Sequence, residues 1–118
     1  MTADKVWIVD DDRSIRWVLE KALMQEGLEA TAFEDAQTLL NKLGKEKPHA
    51  IVTDIRMPGI DGLTLLAKIR LEHPDVPVIV MTAHSDLDSA VSSYQGGAFE
   101  YLPKPFDVDD AINLVKRA

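Results

Sequence analysis

Cysteine is absent from the 118 residues, which removes disulfides, thiolate nucleophiles and Cys-ligated metals from consideration. That absence fits a reducing compartment, and the expected location is cytoplasmic. No apolar run approaches the ~20 residues that a transmembrane helix needs, and the opening residues do not read as a secretory leader, so none is expected. Bases are in short supply: 13 Lys and Arg stand against 20 Asp and Glu, a formal charge of -7. Such a surface repels duplex nucleic acid, so direct DNA binding by this stretch is not expected. Neither an internal repeat nor a low-complexity segment interrupts the chain. What remains is one domain, 46% apolar, long enough for a real core and too short for two.

The stretch that organises the rest is residues 50–62. Ala50 to Thr53 are small, apolar or β-branched, set between Pro48 and a Pro58-Gly59 turn. That pattern reads as a short strand buried on both faces of a parallel sheet. Residues 6–9, 30–33, 76–81 and 100–102 read as four further strands. Helical spacing falls between them. Ile15, Val18, Leu19, Ala22 and Leu23 form one apolar stripe closed by Gly27, with Trp17 and Met24 on the opposite side. Ala36, Leu39, Leu40 and Leu43 mark a second helix ending near Gly44, and Leu65, Leu66 and Ile69 a third, from about Leu63 to the stop at Pro74.

Ser85, with Asp88 three residues on, resembles a capping box opening a fourth helix, with Leu87, Ala90, Val91 and Tyr94 inward. It is rich in poor helix formers (Asp86, Asp88, Ser89, Ser92, Ser93) and ends at Gly96-Gly97, so it is expected to be the least stable of the set. A last helix begins with Asp107 as N-cap and turns Ile112 and Val115 inward. Strict alternation of strand and helix predicts an α/β, doubly wound, five-stranded parallel sheet in the order 2-1-3-4-5. The bare end at Ala118 fits a domain, residues 1–118, cut from a longer protein.

In such a sheet, ligands gather outside the carboxyl ends of the strands. Those ends deliver Asp10, Asp11 and Asp12, then Asp54, Thr82 and Lys104. Two unit charges 4 Å apart repel by about 4 kcal/mol at an effective dielectric of 20. The carboxylates therefore need a shared proton or a cation, and hard oxygen ligands left partly open suit Mg²⁺. Lys104 adds an ammonium and Thr82 a hydroxyl, which makes a pocket shaped for a phosphoryl group. Asp54, on the central strand, is the best-placed nucleophile, and a carboxylate needs no base to activate it.

Asp10-Asp11, Asp54 with Met57-Pro58-Gly59, Thr82-Ala83 and Lys104-Pro105 together resemble the receiver domain of two-component response regulators, a CheY-like fold. Residues 10–23, 54–62 and 81–106 further resemble the NtrC subfamily of nitrogen regulators. The resemblance implies that Asp54 accepts phosphate from a sensor histidine kinase. It implies Asp11 as a direct Mg²⁺ ligand, Asp10 or Asp12 acting through water, and the Arg56 carbonyl as a further ligand. Thr82 and Lys104 would each meet a phosphoryl oxygen, and the Lys104-Pro105 bond would be cis. Tyr101 would turn with Thr82 in a switch that also involves His84, Asp86, Asp88 and Tyr94. The output would be ATPase and DNA-binding domains acting with sigma-54 polymerase, and a phosphorylation-dependent homodimer is among the implied partners. Self-phosphorylation and autodephosphorylation would be the only chemistry.

Blander readings compete at several positions. Asp12 and Asp61 suit helix caps. Thr82 could cap the next helix, Tyr101 could be packing, and His84-x-Asp86-x-Asp88 could be plain polar loop. Exposed Trp17 with Arg13 and Arg16 is a candidate docking face for the kinase. A flavodoxin-like carrier would need a first loop that welcomes a flavin phosphate, which three aspartates repel. An Asp-nucleophile, Mg²⁺-dependent phosphatase of the haloacid dehalogenase type needs a second acid two residues after the nucleophile; here Arg56 stands there. A receiver-like module that never carries phosphate would not need the full polar set.

Overall fold

Successive side chains of a strand point to opposite faces, so a strand apolar at every position needs cover on both sides. The computed structural model, which describes residues 4–57, 59–82, 97–104 and 106–118, supplies that cover. Its elements are β1 (Lys5–Val9), α1 (Arg13–Gln25), β2 (Glu29–Phe33), α2 (Ala36–Leu43), β3 (Ala50–Asp54), α3 (Gly62–Glu72), β4 (Val78–Thr82), β5 (Glu100–Pro103) and α4 (Val108–Arg117). All pairings are parallel and the order is β2-β1-β3-β4-β5, as the alternation predicts. The helix expected over 85–96, with His84, Asp86, Asp88 and Tyr94, lies outside the described residues, as do Ala83, Pro58 and Pro105.

The sheet divides the core in two. Trp7, Val9, Ile51, Val78 and Val80 meet Leu39 and Leu43 of α2 and Leu65, Leu66 and Ile69 of α3. Val6, Ile8, Val52, Ile79 and Met81 meet Leu19, Ala22 and Leu23 of α1 and Ala111, Ile112 and Val115 of α4. Trp7 is shut in beside Phe33, edge to face at 5.5 Å between ring centres, with the Lys42 ammonium 5.6 Å from its ring.

Each described helix opens on an aspartate. The carboxylates of Asp12, Asp35, Asp61 and Asp107 accept from the backbone N–H groups of Ser14, Thr38, Thr64 and Asp109, satisfying donors that a helix start leaves bare. Because helices run back against the strands, these caps stand at the carboxyl edge of the sheet. At the other end of α1, the Gly27 N–H donates to Met24 and the Leu28 N–H to Leu23, with Gly27 at φ 80. That is a Schellman closure, which favours glycine for its left-handed backbone.

Two expectations need correction. The fourth strand starts at Val78 rather than residue 76, because Pro77 has no N–H to give a ladder and the Val76 N–H turns back to the His73 carbonyl. Val18, placed in the buried stripe of α1, is exposed: the helix presents Leu19, Ala22 and Leu23 inward, and Val18 falls beyond the edge of that face. Trp17 and Met24 point outward as their spacing predicts.

Candidate functional site

The register of the sheet lines up the ends of β1, β3, β4 and β5. Val9 pairs with Thr53, Asp54 with Met81, and Thr82 with Pro103, so the next residues emerge on one rim. Asp10 is wholly buried there, Asp54 is 9% exposed, and Thr82 is buried as the last residue of its strand. Carboxylate oxygens of Asp10, Asp11 and Asp54 lie within 4.8 Å of one another. The Lys104 ammonium reaches two of them, at 3.1 Å from Asp10 and 3.3 Å from Asp54.

Asp10 is a junction. Its N–H donates to the Phe33 carbonyl on β2, and one carboxylate oxygen accepts from the Asp12 N–H at 2.8 Å. The other oxygen takes Lys104, and its carbonyl accepts from the Arg16 guanidinium at 2.8 Å. Lys104 is fixed in turn through its backbone, whose N–H donates to the Thr82 carbonyl.

Burial sets the electrostatics. It pushes the Asp10 carboxyl above the usual range, a rise that Asp54 adds to and the Asp12 N–H and Lys104 oppose. It raises Asp54 as well, again against the pull of Lys104. For Lys104, burial works against the charge, but its hydrogen bond to Asp10 and the two carboxylates outweigh it and hold its pKa above the ordinary value. Three acids and one ammonium leave two negative charges unmatched in this group.

Not every residue singled out in the sequence comes to the cluster. The Asp12 carboxylate is occupied as the cap of α1, and the metal-capable group of acids among the described residues is Asp10, Asp11 and Asp54. Arg56 is exposed two residues past Asp54, and Tyr101 lies half-buried on β5. Arg13 and Trp17 face solvent at the start of α1, while Arg16 turns in.

Gly62 is a site residue that the sequence reading gave no role. It opens α3 so close to β3 that a Cβ on it would sit 2.0 Å from the Asp54 carbonyl oxygen. Its N–H donates to the Ile55 carbonyl at 2.7 Å. Only a residue without a side chain lets α3 press against the strand end that carries Asp54.

The family model described as the response regulator receiver domain matches residues 6–116. The chain belongs to that family. The receiver is of the NtrC type: it is 61% identical over 113 residues to the DNA-binding transcriptional regulator NtrC of Escherichia coli strain K12, covering 96% of this chain and 24% of that protein. It is 40% identical over 114 residues to the C4-dicarboxylate transport transcriptional regulatory protein DctD of Pseudomonas aeruginosa, covering 97% and 25%. The receiver thus spans about a quarter of the length of these relatives. The apo form of the NtrC receiver superposes with a TM-score of 0.89 at 59% identity, covering 99% of this chain and 94% of that one. The beryllofluoride-activated form gives 0.85 at 59% identity, covering 100% and 95%.

Proposed function

We propose that Asp54 is the phosphoacceptor of this receiver and that Asp10, Asp11 and Asp54, with the Arg56 carbonyl, hold a Mg²⁺ ion beside it. The observation that carries the reading is the convergence of three carboxylates within 4.8 Å, with one ammonium to balance them. An all-oxygen donor set with two negative charges to spare fits a hard divalent cation. Asp11, exposed and without a salt-bridge partner among the described residues, is the ligand most open to it. Asp12 stays at its cap. When bound, Mg²⁺ supplies charge neutralisation on the phosphoryl oxygens and keeps the buried acids ionised.

The Asp54 carboxylate oxygen forms a bond to phosphorus as the phosphorus–nitrogen bond of a phosphohistidine breaks, the electron pair leaving with the imidazole. Lys104 moves from sharing the Asp54 carboxylate to holding an oxygen of the new phosphoryl group, and the Thr82 hydroxyl takes another. Because Lys104 is tied to Thr82 through its backbone, a shift at either is felt by both. That coupling supports a switch running from Thr82 through His84, Asp86, Asp88 and Tyr94 to Tyr101.

The donor in this reading is a sensor histidine kinase, docking across Arg13 and Trp17. The work done is signalling without a separate substrate. The NtrC and DctD relatives support a place in a longer cytoplasmic regulator, with ATPase and DNA-binding domains under control of the receiver and a homodimer formed on phosphorylation. Incubation with acetyl phosphate and Mg²⁺, followed by intact-mass measurement, tests the core of it. One base-labile phosphoryl group should appear and be abolished in Asp54→Asn; continuous turnover of the acyl phosphate without a stable adduct would mark a phosphatase instead.

A further inference from the structure

The structure assigns Arg16 a positioning role at the cation site: its guanidinium fixes the peptide that joins Asp10 to Asp11. The inference rests on the reading above that this rim holds Mg²⁺. Arg16 stands in the first turn of α1, where its backbone N–H donates to the Asp12 carbonyl. Its side chain folds back across the turn and donates to the Asp10 carbonyl at 2.8 Å. Trp17, next in sequence, is 61% exposed, so neighbouring residues of one helix serve opposite directions.

A peptide unit is planar, so an oxygen held in place limits where the following Cα lies. The carbonyl that Arg16 holds belongs to the Asp10–Asp11 peptide. Asp10 needs little help, being pinned through its N–H, both carboxylate oxygens and burial. Asp11 is different. It is exposed in the turn between β1 and α1, and its carboxylate has no hydrogen-bond partner among the described residues. The direction of that carboxylate toward Asp10 and Asp54 therefore depends on the peptide before it. Arg16 holds that peptide from the helix side, as outer partners commonly orient metal ligands.

Arg16 sends its hydrogen bond to a carbonyl and to none of the three carboxylates. It leaves their oxygens to the cation while holding the frame they hang from. A docking residue would instead present its guanidinium outward, as Arg13 and Trp17 are placed to do.

Mg²⁺ titration of the ¹⁵N-labelled chain, followed by the amide shifts of Asp11 and Asp54, tests the assignment without any kinase. Arg16→Ala should weaken the apparent Mg²⁺ affinity roughly ten-fold and slow phosphorylation by acetyl phosphate at limiting Mg²⁺, with recovery at saturating Mg²⁺. Lys21→Ala, which removes a like charge from the exposed face of the same helix, should change neither. Equal Mg²⁺ affinity in Arg16→Ala and wild type overturns the assignment, and so does a matching loss in Lys21→Ala, which would trace the effect to α1 as a whole and not to the hydrogen bond on the Asp10 carbonyl. Should Arg16→Ala fail to melt cooperatively, Arg16→Lys decides on the same titration: a weakened affinity supports the role and an unchanged one overturns it. A wild-type chain that shows no Mg²⁺ response at all would instead sink the cation site itself.

Discussion

The two ends of the sheet handle charge in opposite ways. At the amino edge, acids and bases are matched and wet: Lys5 meets Glu46 at 2.8 Å, Lys116 meets Glu26 at 3.1 Å, and Lys47 pairs with Asp75. There the hydrogen bond from Lys5 lowers the Glu46 pKa, and that from Lys47 lowers Asp75. At the carboxyl edge, among the described residues, three acids cluster beside one ammonium that reaches two of them, and burial drives Asp10 and Asp54 upward. Exposed pairs contribute little to stability, so the amino edge is ordinary protein surface. The carboxyl edge holds an imbalance that folding alone would not select. What distinguishes a site from a surface here is the sign of the shift imposed on its acids, and not the number of charges.

The contrast breaks most sharply at glycine. Gly62→Ala at the carboxyl edge must displace the Asp54 carbonyl and should cost roughly 3 kcal/mol or more. Gly27→Ala at the amino edge meets open space and only a strained φ, and should cost about 1 kcal/mol. Urea titration of both variants measures the gap, and equal midpoints would remove the role given to close approach. Lys104→Met comes next. Uncovering two buried acids, with the lysine itself partly exposed, should destabilise the Mg²⁺-free chain by roughly 2 kcal/mol. Lys5→Met, which breaks only an exposed pair, should lower the urea midpoint slightly.

The smallest effect is the most specific, because its sign reverses between the edges. Asp54 has a raised pKa in the fold, so its contribution to stability is fully present below the ordinary carboxylate range and lost as pH rises through the folded value. Asp54→Asn should therefore match the wild type in acid and gain on it steadily toward pH 7 when Mg²⁺ is absent. Glu46 has a lowered pKa, so its contribution is present above the ordinary range and lost as pH falls through the folded value. Glu46→Gln should accordingly lag the wild type near neutrality and converge with it in acid. Denaturant midpoints across pH 3 to 7 would show the two differences running in opposite senses; parallel curves would refute the comparison.

Much of the carboxyl edge was legible in the sequence because it follows from alternation and a rule of place. Buried strands mark themselves by apolar runs, and their carboxyl ends name Asp10, Asp54, Thr82 and Lys104 without any knowledge of contacts. Asp12 was open between cap and ligand, since an aspartate before a helix reads alike in both roles; the Ser14 N–H puts it at the cap. The edges of periodic patterns were less legible. Val18 lies on the margin of the α1 stripe, where spacing alone does not tell a core position from a rim one, and Pro77 delayed a strand whose side chains already looked right. Gly62 and Arg16 were beyond pattern altogether. One matters through the distance between two backbones far apart in the turn, the other through where a long flexible side chain folds back, and neither leaves a period in the sequence.

The two tryptophans divide the molecule optically. Trp7 sits on β1, three residues before Asp10, sealed by Phe33 and overlain by Lys42, while Trp17 stands in water on α1 with Lys21 5.9 Å from its ring. A soluble quencher such as iodide would silence the second and leave the first. The remaining emission would come from the strand that carries the acidic rim, giving the chain a built-in fluorophore for its own interior with no label attached.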